Sequence, residues 1–169
     1  MKIKFKPIDL LKDKETTIDF RRDAFVASFG HDKDFYGADG NGPHHYFRSL
    51  EKKISLSPPM AYHVWLGDSI IGQLELDYFN NDKKVGYVNL YYLSCDYRGR
   101  GYSKYLDEFA IKFFQDLGVE FIKLSVSPTN IRAIKFYQKH GWIDCGDRFS
   151  EEELARKKVS QVRILKRQI

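Results

Sequence analysis

Cysteine is almost missing from this chain. The two in its 169 residues, Cys95 and Cys145, lie far apart and form no CxxC pair. That excludes a disulfide framework and offers no ligand spacing for zinc. Long apolar runs are missing too. VNLYYL is about as long as they get, well short of the ~18 residues a membrane span needs. The opening stretch MKIKFKPIDL alternates charged and apolar side chains and lacks the continuous apolar core of a signal peptide. There is no block of one charge, no low-complexity tract and no internal repeat; KFKPIDLLKDK and ARKK are mixed or short and read as solvated faces. A net charge of +5 suits an anionic ligand but is too small to argue nucleic-acid binding by itself. A soluble cytoplasmic protein is expected, monomer or homodimer, with neither membrane nor nucleic acid as a partner.

What is abundant is apolar and aromatic surface, 43% and 15% of the residues. That is enough for one sizeable core, so residues 1–169 are expected to form one domain. Lys2–Ile8 reads as a strand, and Asp13 to Phe29 as a helix anchored by Ile18, Phe25 and Phe29 and ended by Gly30. Residues 31–43 are a loop, and a second helix runs from His44 to Ile54. AYHVWL and SIIGQLELDYF are strands joined at Gly67-Asp68, a hairpin signal, and VGYVNLYYLS follows as a third. A long helix then places Tyr102, Leu106, Phe109, Phe113 and Leu117 on one face, with Gly118 as its cap residue. FIKLSVS is a strand, SPTNIRAIKFYQKHGW a helix, and WIDCGDRF and VSQVRILKR two closing strands. This order predicts a mixed α/β (α+β) domain with a largely antiparallel sheet.

The segment DYRGRGYSKYL, from Asp96 to Leu106, joins a strand to a helix through two glycines. It is no P-loop, since no Gly-Lys-Ser/Thr follows, and Lys104 stands where a dinucleotide fingerprint needs its third glycine. Glycine still permits a sharp turn and a close ligand approach. The N–H groups around Gly101 to Lys104 have no intrahelical acceptor, so a diphosphate could satisfy them with Arg98, Arg100 and Lys104 as counter-charge. A solvated turn is the other reading. Further on, Asn130, Ala133, Tyr137 and Gly141 share one helical stripe. A small residue, a phenol and an amide suit a helix beside a ligand; a core tyrosine and an ordinary N-cap asparagine are the plainer alternative.

Together the two segments resemble the GNAT superfamily of acetyl-coenzyme A-dependent N-acetyltransferases. Arg98-Gly99-Arg100-Gly101-Tyr102-Ser103 is similar to its R/Q-x-x-G-x-G/A pyrophosphate loop. Asn130 through Ala133 and Tyr137 to Gly141-Trp142 is similar to its N-x-x-A-x-x-x-Y-x-x-x-G-F/W motif. The resemblance covers about residues 60–145. Ser103 departs from the usual Gly or Ala, and Cys95 stands where many members carry proline.

The resemblance implies a sheet with a splayed central pair of strands, flanked by about four helices, and acetyl-CoA as co-substrate. It implies that the splayed strand ends around Leu93-Ser94-Cys95, with the Leu93 N–H bonding the thioester carbonyl. Gly99, Gly101, Tyr102, Ser103 and Lys104 would hold the diphosphate, and Asn130 would contact the cofactor arm. Tyr137 would protonate the departing thiolate. For the base, Gln73, Glu75 and Asp77 share one face of a strand and Glu75 is the best candidate, although a polar face with a water relay reads as well. Tyr87, Asn89 and Tyr91 are expected to share a face of the next strand. His31, His44 and His45 flank the loop that often walls the acceptor pocket in this family; with Asp32 and Asp34 they have no metal-ligand spacing, and surface histidines are the plainer reading. The expected activity is acetyl transfer to a primary amine of a small molecule or peptide. A non-catalytic acyl-CoA-binding sensor on the same fold is the alternative.

Overall fold

Residues 2–169 are described by a computed structural model. Strand β1 (Ile3–Pro7) is followed by helices α1 (Lys14–Phe29), α2 (Lys33–Tyr36) and α3 (Gly42–Ser55). The meander β2 (Ala61–Leu66), β3 (Ser69–Tyr78) and β4 (Val85–Leu93) leads into α4 (Ser103–Asp116). Then come β5 (Phe121–Val126), α5 (Ile131–Lys139), β6 (Ile143–Asp147), α6 (Glu151–Lys157) and β7 (Arg163–Gln168). The strands form one sheet in the order β1-β2-β3-β4-β5-β7-β6. Every neighbouring pair is antiparallel except β4–β5. No helix is long and apolar enough to cross a membrane among the described residues.

Side-chain alternation gives the sheet two unlike faces. On one, Leu74, Leu76, Val88, Ile122 and Leu124 pack under α4 and α5. Phe114 is fully buried there. A Cβ on Gly86 would lie 2.7 Å from its ring, so this β4 position takes no side chain. The other face, under α1 and α3, is polar. The buried Lys53 ammonium donates to Leu76 O (2.6 Å), Asp77 Oδ2 (2.8 Å) and Asn89 Oδ1 (2.9 Å), so all three of its protons have acceptors. His63 Nε2 lies 3.1 Å from Thr17 Oγ1.

Several expectations need correction. The stripe that α4 buries is Leu106, Ala110, Phe113 and Phe114, with the acidic Asp107 beside them. Leu117 is 36% exposed, because it falls after the last helical turn. Two short helices add to the four expected. One turn, α2, forms inside the loop after α1, and Phe35 from it packs against Phe25 and Tyr46. The second, α6, starts in a reciprocal cap: the Glu153 N–H donates to Ser150 Oγ (3.2 Å) and the Ser150 N–H to Glu153 Oε2 (2.9 Å). Finally, the β3–β4 register slips between Glu75 and Leu76, leaving Asn89 as an unmatched residue on β4. This bulge reverses the alternation, so Tyr91 faces α4 while Tyr87 and Asn89 face the other way.

Replacing Lys53 by Met strands three acceptors at once and is expected to cost about 1–3 kcal/mol in urea unfolding. Burial holds the His63 imidazole below its ordinary pKa of 6.5, partly offset by Asp13. The unfolded chain therefore binds that proton more readily than the native one. The resulting stability is fully present above about pH 6.5 and is lost as pH falls toward the folded value. Melting temperatures at about pH 7.5 and about pH 5.5 should differ less for His63→Gln than for the wild type.

Candidate active site

The one parallel pair of the sheet is only half paired. β4 and β5 stay in register from Val85↔Phe121 to Val88↔Leu124. Beyond that point β4 runs on to Leu93 beside β3, and β5 to Val126 beside β7. The two strands part just where the Asn89 bulge bends β4. The gap is a cleft of about 830 Å³. In an antiparallel ladder, hydrogen-bonded pairs alternate with unbonded ones. Because the Ser94 N–H donates to Ile71 O (2.9 Å), the next pair, Gly72↔Leu93, is an unbonded one. The Leu93 amide therefore points away from β3, toward the side that β5 has vacated.

The glycine loop borders one end of this cleft. Gly99 (φ 76°) and Gly101 (φ 83°) adopt the left-handed conformation, which costs a residue with a Cβ about 1–2 kcal/mol. No main-chain N–H from Gly99 to Lys104 has an acceptor among the described residues. The loop is thus a run of unpaired donors ending in the positive end of α4. Of the residues expected to bind the cofactor, Leu93, Arg98, Gly99, Gly101, Ser103 and Lys104 line the cleft. Arg98 is not a free counter-charge, however. Its Nε donates to Leu93 O (2.7 Å) and its Nη2 to Asp23 Oδ2 (2.6 Å), tying the strand end to α1. Cys95 and the side chains of Arg100 and Tyr102 lie off the lining. Cys95 is exposed in a 3₁₀ turn, and Arg100 and Tyr102 stack near Tyr97 on the outside. A charge that sequence reasoning missed replaces them. Arg132 reaches back over the loop, and a Cβ on Gly99 would lie 2.5 Å from its Nη2.

Across the gap stands α5. Asn130 caps it by accepting from the Ala133 N–H (3.3 Å), and Asn130, Ala133 and Tyr137 all line the cleft. The Tyr137 hydroxyl has no protein hydrogen-bond partner among the described residues. Burial first, then the Asp107 carboxylate and Tyr87, push its pKa well above that of an ordinary phenol, so it carries its proton at neutral pH. Asp107 is buried and accepts from Arg167 Nη1 (2.7 Å), Trp142 Nε1 (3.1 Å) and the Tyr91 hydroxyl (3.3 Å). A carboxylate at a core-facing helix position was the signal that could have revealed it.

Glu75 does not line the cleft. It is buried beneath α3, accepting from the Tyr46 hydroxyl (2.6 Å) and Gln73 Nε2 (2.8 Å). His44 and His45 are exposed, His31 stacks on Phe29, and none of the three lines the cleft. That part of the wall comes from α1, β5 and the β6–β7 connection, including Arg21, Ser125 and Arg148.

Among the described residues, no carboxylate lines the cleft. Open amides in the loop, Lys104 and Arg132 beside them and a narrow gap between two strand edges fit a diphosphate followed by an extended, amide-bearing arm. The acetyltransferase (GNAT) family model matches residues 22–142. No curated protein sequence matches the chain. Among solved structures, the PaiA N-acetyltransferase from Thermoplasma acidophilum in complex with coenzyme A superposes with a TM-score of 0.73 at 16% identity, over 100% of both chains. Ard1 from Thermoplasma volcanium gives 0.72 at 13% identity, over 100% of this chain and 99% of that one. A chain of the NatC complex bound to Gag peptide and CoA gives 0.67 at 21%, over 100% and 99%. At such identities the likeness is one of fold. The family match carries more, because it spans both the open-amide loop and the Tyr137 helix: the chain belongs to the GNAT acetyltransferase family, whose co-substrate is acetyl-CoA.

Proposed function

We propose that the protein is an N-acetyltransferase that moves the acetyl group of acetyl-CoA to a primary amine of a small molecule or peptide, by direct attack in a ternary complex. The observation that carries this reading is the run of unpaired amides from Gly99 to Lys104 opening directly onto the split between β4 and β5. Acetyl-CoA supplies an activated thioester. Gly99, Arg100, Gly101, Tyr102, Ser103 and Lys104 bind the diphosphate through main-chain N–H groups, and Lys104 and Arg132 add charge. Arg98 binds nothing itself in this scheme; it holds the Leu93 end of β4 in place through the Leu93 carbonyl.

The Leu93 N–H donates to the thioester oxygen as negative charge develops there. Tyr137, protonated at neutral pH and free of protein partners, gives its proton to the departing sulfur. Asn130 and Ala133 set the wall along which the arm lies. Glu75, committed to Tyr46 and Gln73 and off the cleft, supports the acceptor side from below, and the amine's proton leaves through water.

A second reading has one observation in its favour. Among the described residues the cleft has no carboxylate to act as base, which suits a non-catalytic acyl-CoA sensor. Thiol release from acetyl-CoA across a panel of amines separates the two, since a sensor binds coenzyme A and releases no thiol with any acceptor. Tyr137→Phe should lower kcat by roughly 10²- to 10⁴-fold with coenzyme A affinity nearly unchanged; equal turnover would remove Tyr137 from the mechanism. Gly99→Ala should weaken coenzyme A binding about tenfold or more in calorimetry, from left-handed strain and the clash with Arg132. Gly101→Ala, whose Cβ would meet nothing within 4 Å, should do so less.

A further inference from the structure

Resting on the transferase reading above, we infer that the acceptor is an anionic amine: it carries a carboxylate close to the amino group, and Arg148 and Arg21 receive that carboxylate. Every charged side chain that lines the cleft among the described residues is an arginine or a lysine, with no Asp or Glu. Two of those charges, Lys104 and Arg132, are explained by the diphosphate loop, and Lys139 belongs to the last turn of α5. Arg98 is neutralised by Asp23 at 2.6 Å. Arg148 and Arg21 lie elsewhere, on the sheet face under α1 and α3, across the strand split from that loop.

Both are anchored at the split. Arg148 Nη1 donates to Ser125 Oγ on β5 (2.9 Å) and to the Tyr87 hydroxyl on β4. Arg21 Nη1 donates to Asn89 O (3.2 Å). Tyr87 and Asn89 are two residues apart on β4, so both arginines are tied to the same stretch of that strand, where it parts from β5. Each guanidinium lies over aromatic rings: Arg148 is 5.1 Å from the ring centres of Tyr87 and Phe149, and Arg21 is 5.2 Å from Phe25 and 5.5 Å from Tyr46.

In each case only Nη1 is engaged, which leaves Nε and Nη2 as a free two-pronged donor. Neither arginine has a carboxylate within ion-pair distance among the described residues, and that includes Glu75 behind the Tyr46 ring. A planar, pre-oriented fork with both prongs open matches a carboxylate bidentately. An acceptor bearing only ammonium groups meets two like charges at the split and is disfavoured. The same positive field favours the neutral, nucleophilic form of the bound amine, so a cleft without a carboxylate base still has a way to present one.

The test is thiol release from acetyl-CoA with matched acceptors: free amino acids, the same amino acids as C-terminal amides, and polyamines. We expect kcat/KM for the free acids to exceed that for their amides by about tenfold or more, chiefly through KM, with polyamines poorest. Arg148→Gln should collapse that ratio, and Arg148→Lys should keep part of it. The wild-type ratio stands as a test even if a variant fails to fold. Amides or polyamines accepted as well as, or better than, the free acids would overturn the inference while leaving the transferase reading intact. Silence from every acceptor, in protein that binds coenzyme A, would overturn the transferase reading and this inference with it.

Discussion

One backbone irregularity organises this molecule. Asn89 is the unmatched residue of β4, and two cations from different helices hold it. Lys53 of α3 bonds its side chain and Arg21 of α1 bonds its carbonyl. With the extra residue pinned, β4 bends away from β5 immediately after Val88. Everything downstream inherits that bend. Tyr91 turns to the α4 side, the Leu93 amide faces open space, and the strand delivers the chain into the glycine loop at the mouth of the gap. A regular β4 would pair with β5 to its end and close the cleft.

The opposite face has its own fixed point. Asp107 gathers Arg167 of β7, Trp142 after α5 and Tyr91 of β4 around one buried carboxylate. Removing a single member leaves the rest under-satisfied in a low-dielectric site, so the cluster holds α4, α5 and the sheet in one arrangement. Tyr137 sits against it, 5.8 Å from the Trp142 ring and 6.3 Å from Tyr91. The carboxylate that positions its neighbours also helps to keep the Tyr137 proton in place. Structure and chemistry share that residue.

Much of this was legible from the chain, and the parts that were not have physical reasons. The Gly67-Asp68 hairpin, the Gly30 and Gly118 stops and the spacing from Asn130 to Gly141 are local signals, and each element appears where they put it. The splay was implied by the family resemblance and by no residue pattern, because a bulge depends on which strand lies alongside. For the same reason Tyr87 and Tyr91 could not be assigned to opposite faces. Arg98 looks like a phosphate ligand in a loop written R-G-R-G; that it is spent on Asp23 depends on where α1 lies. Glu75 alternates correctly along β3 yet lies under Tyr46, since alternation names a face and says nothing of what covers it. Asp107 and α6 were avoidable misses, the first a carboxylate at a core-facing helix position and the second announced by the capping-box spacing of Ser150 and Glu153.

The sheet is open, so it has two bare edges, and their composition bears on how copies of the chain behave when crowded. An unpaired edge strand is a template for a further strand from another molecule. Here β1 presents exposed Lys4 and Lys6 and ends in Pro7, with the Lys6 ammonium 4.2 Å from the centre of the Trp65 ring. At the far edge β6 is five residues long and loses register between Asp144 and Asp147, both of which are held by Arg163. Its one large apolar side chain in the open is Ile143, 69% exposed. Charge and proline guard one margin; shortness and irregularity guard the other. Neither offers the long, flat apolar ribbon from which β-aggregates grow.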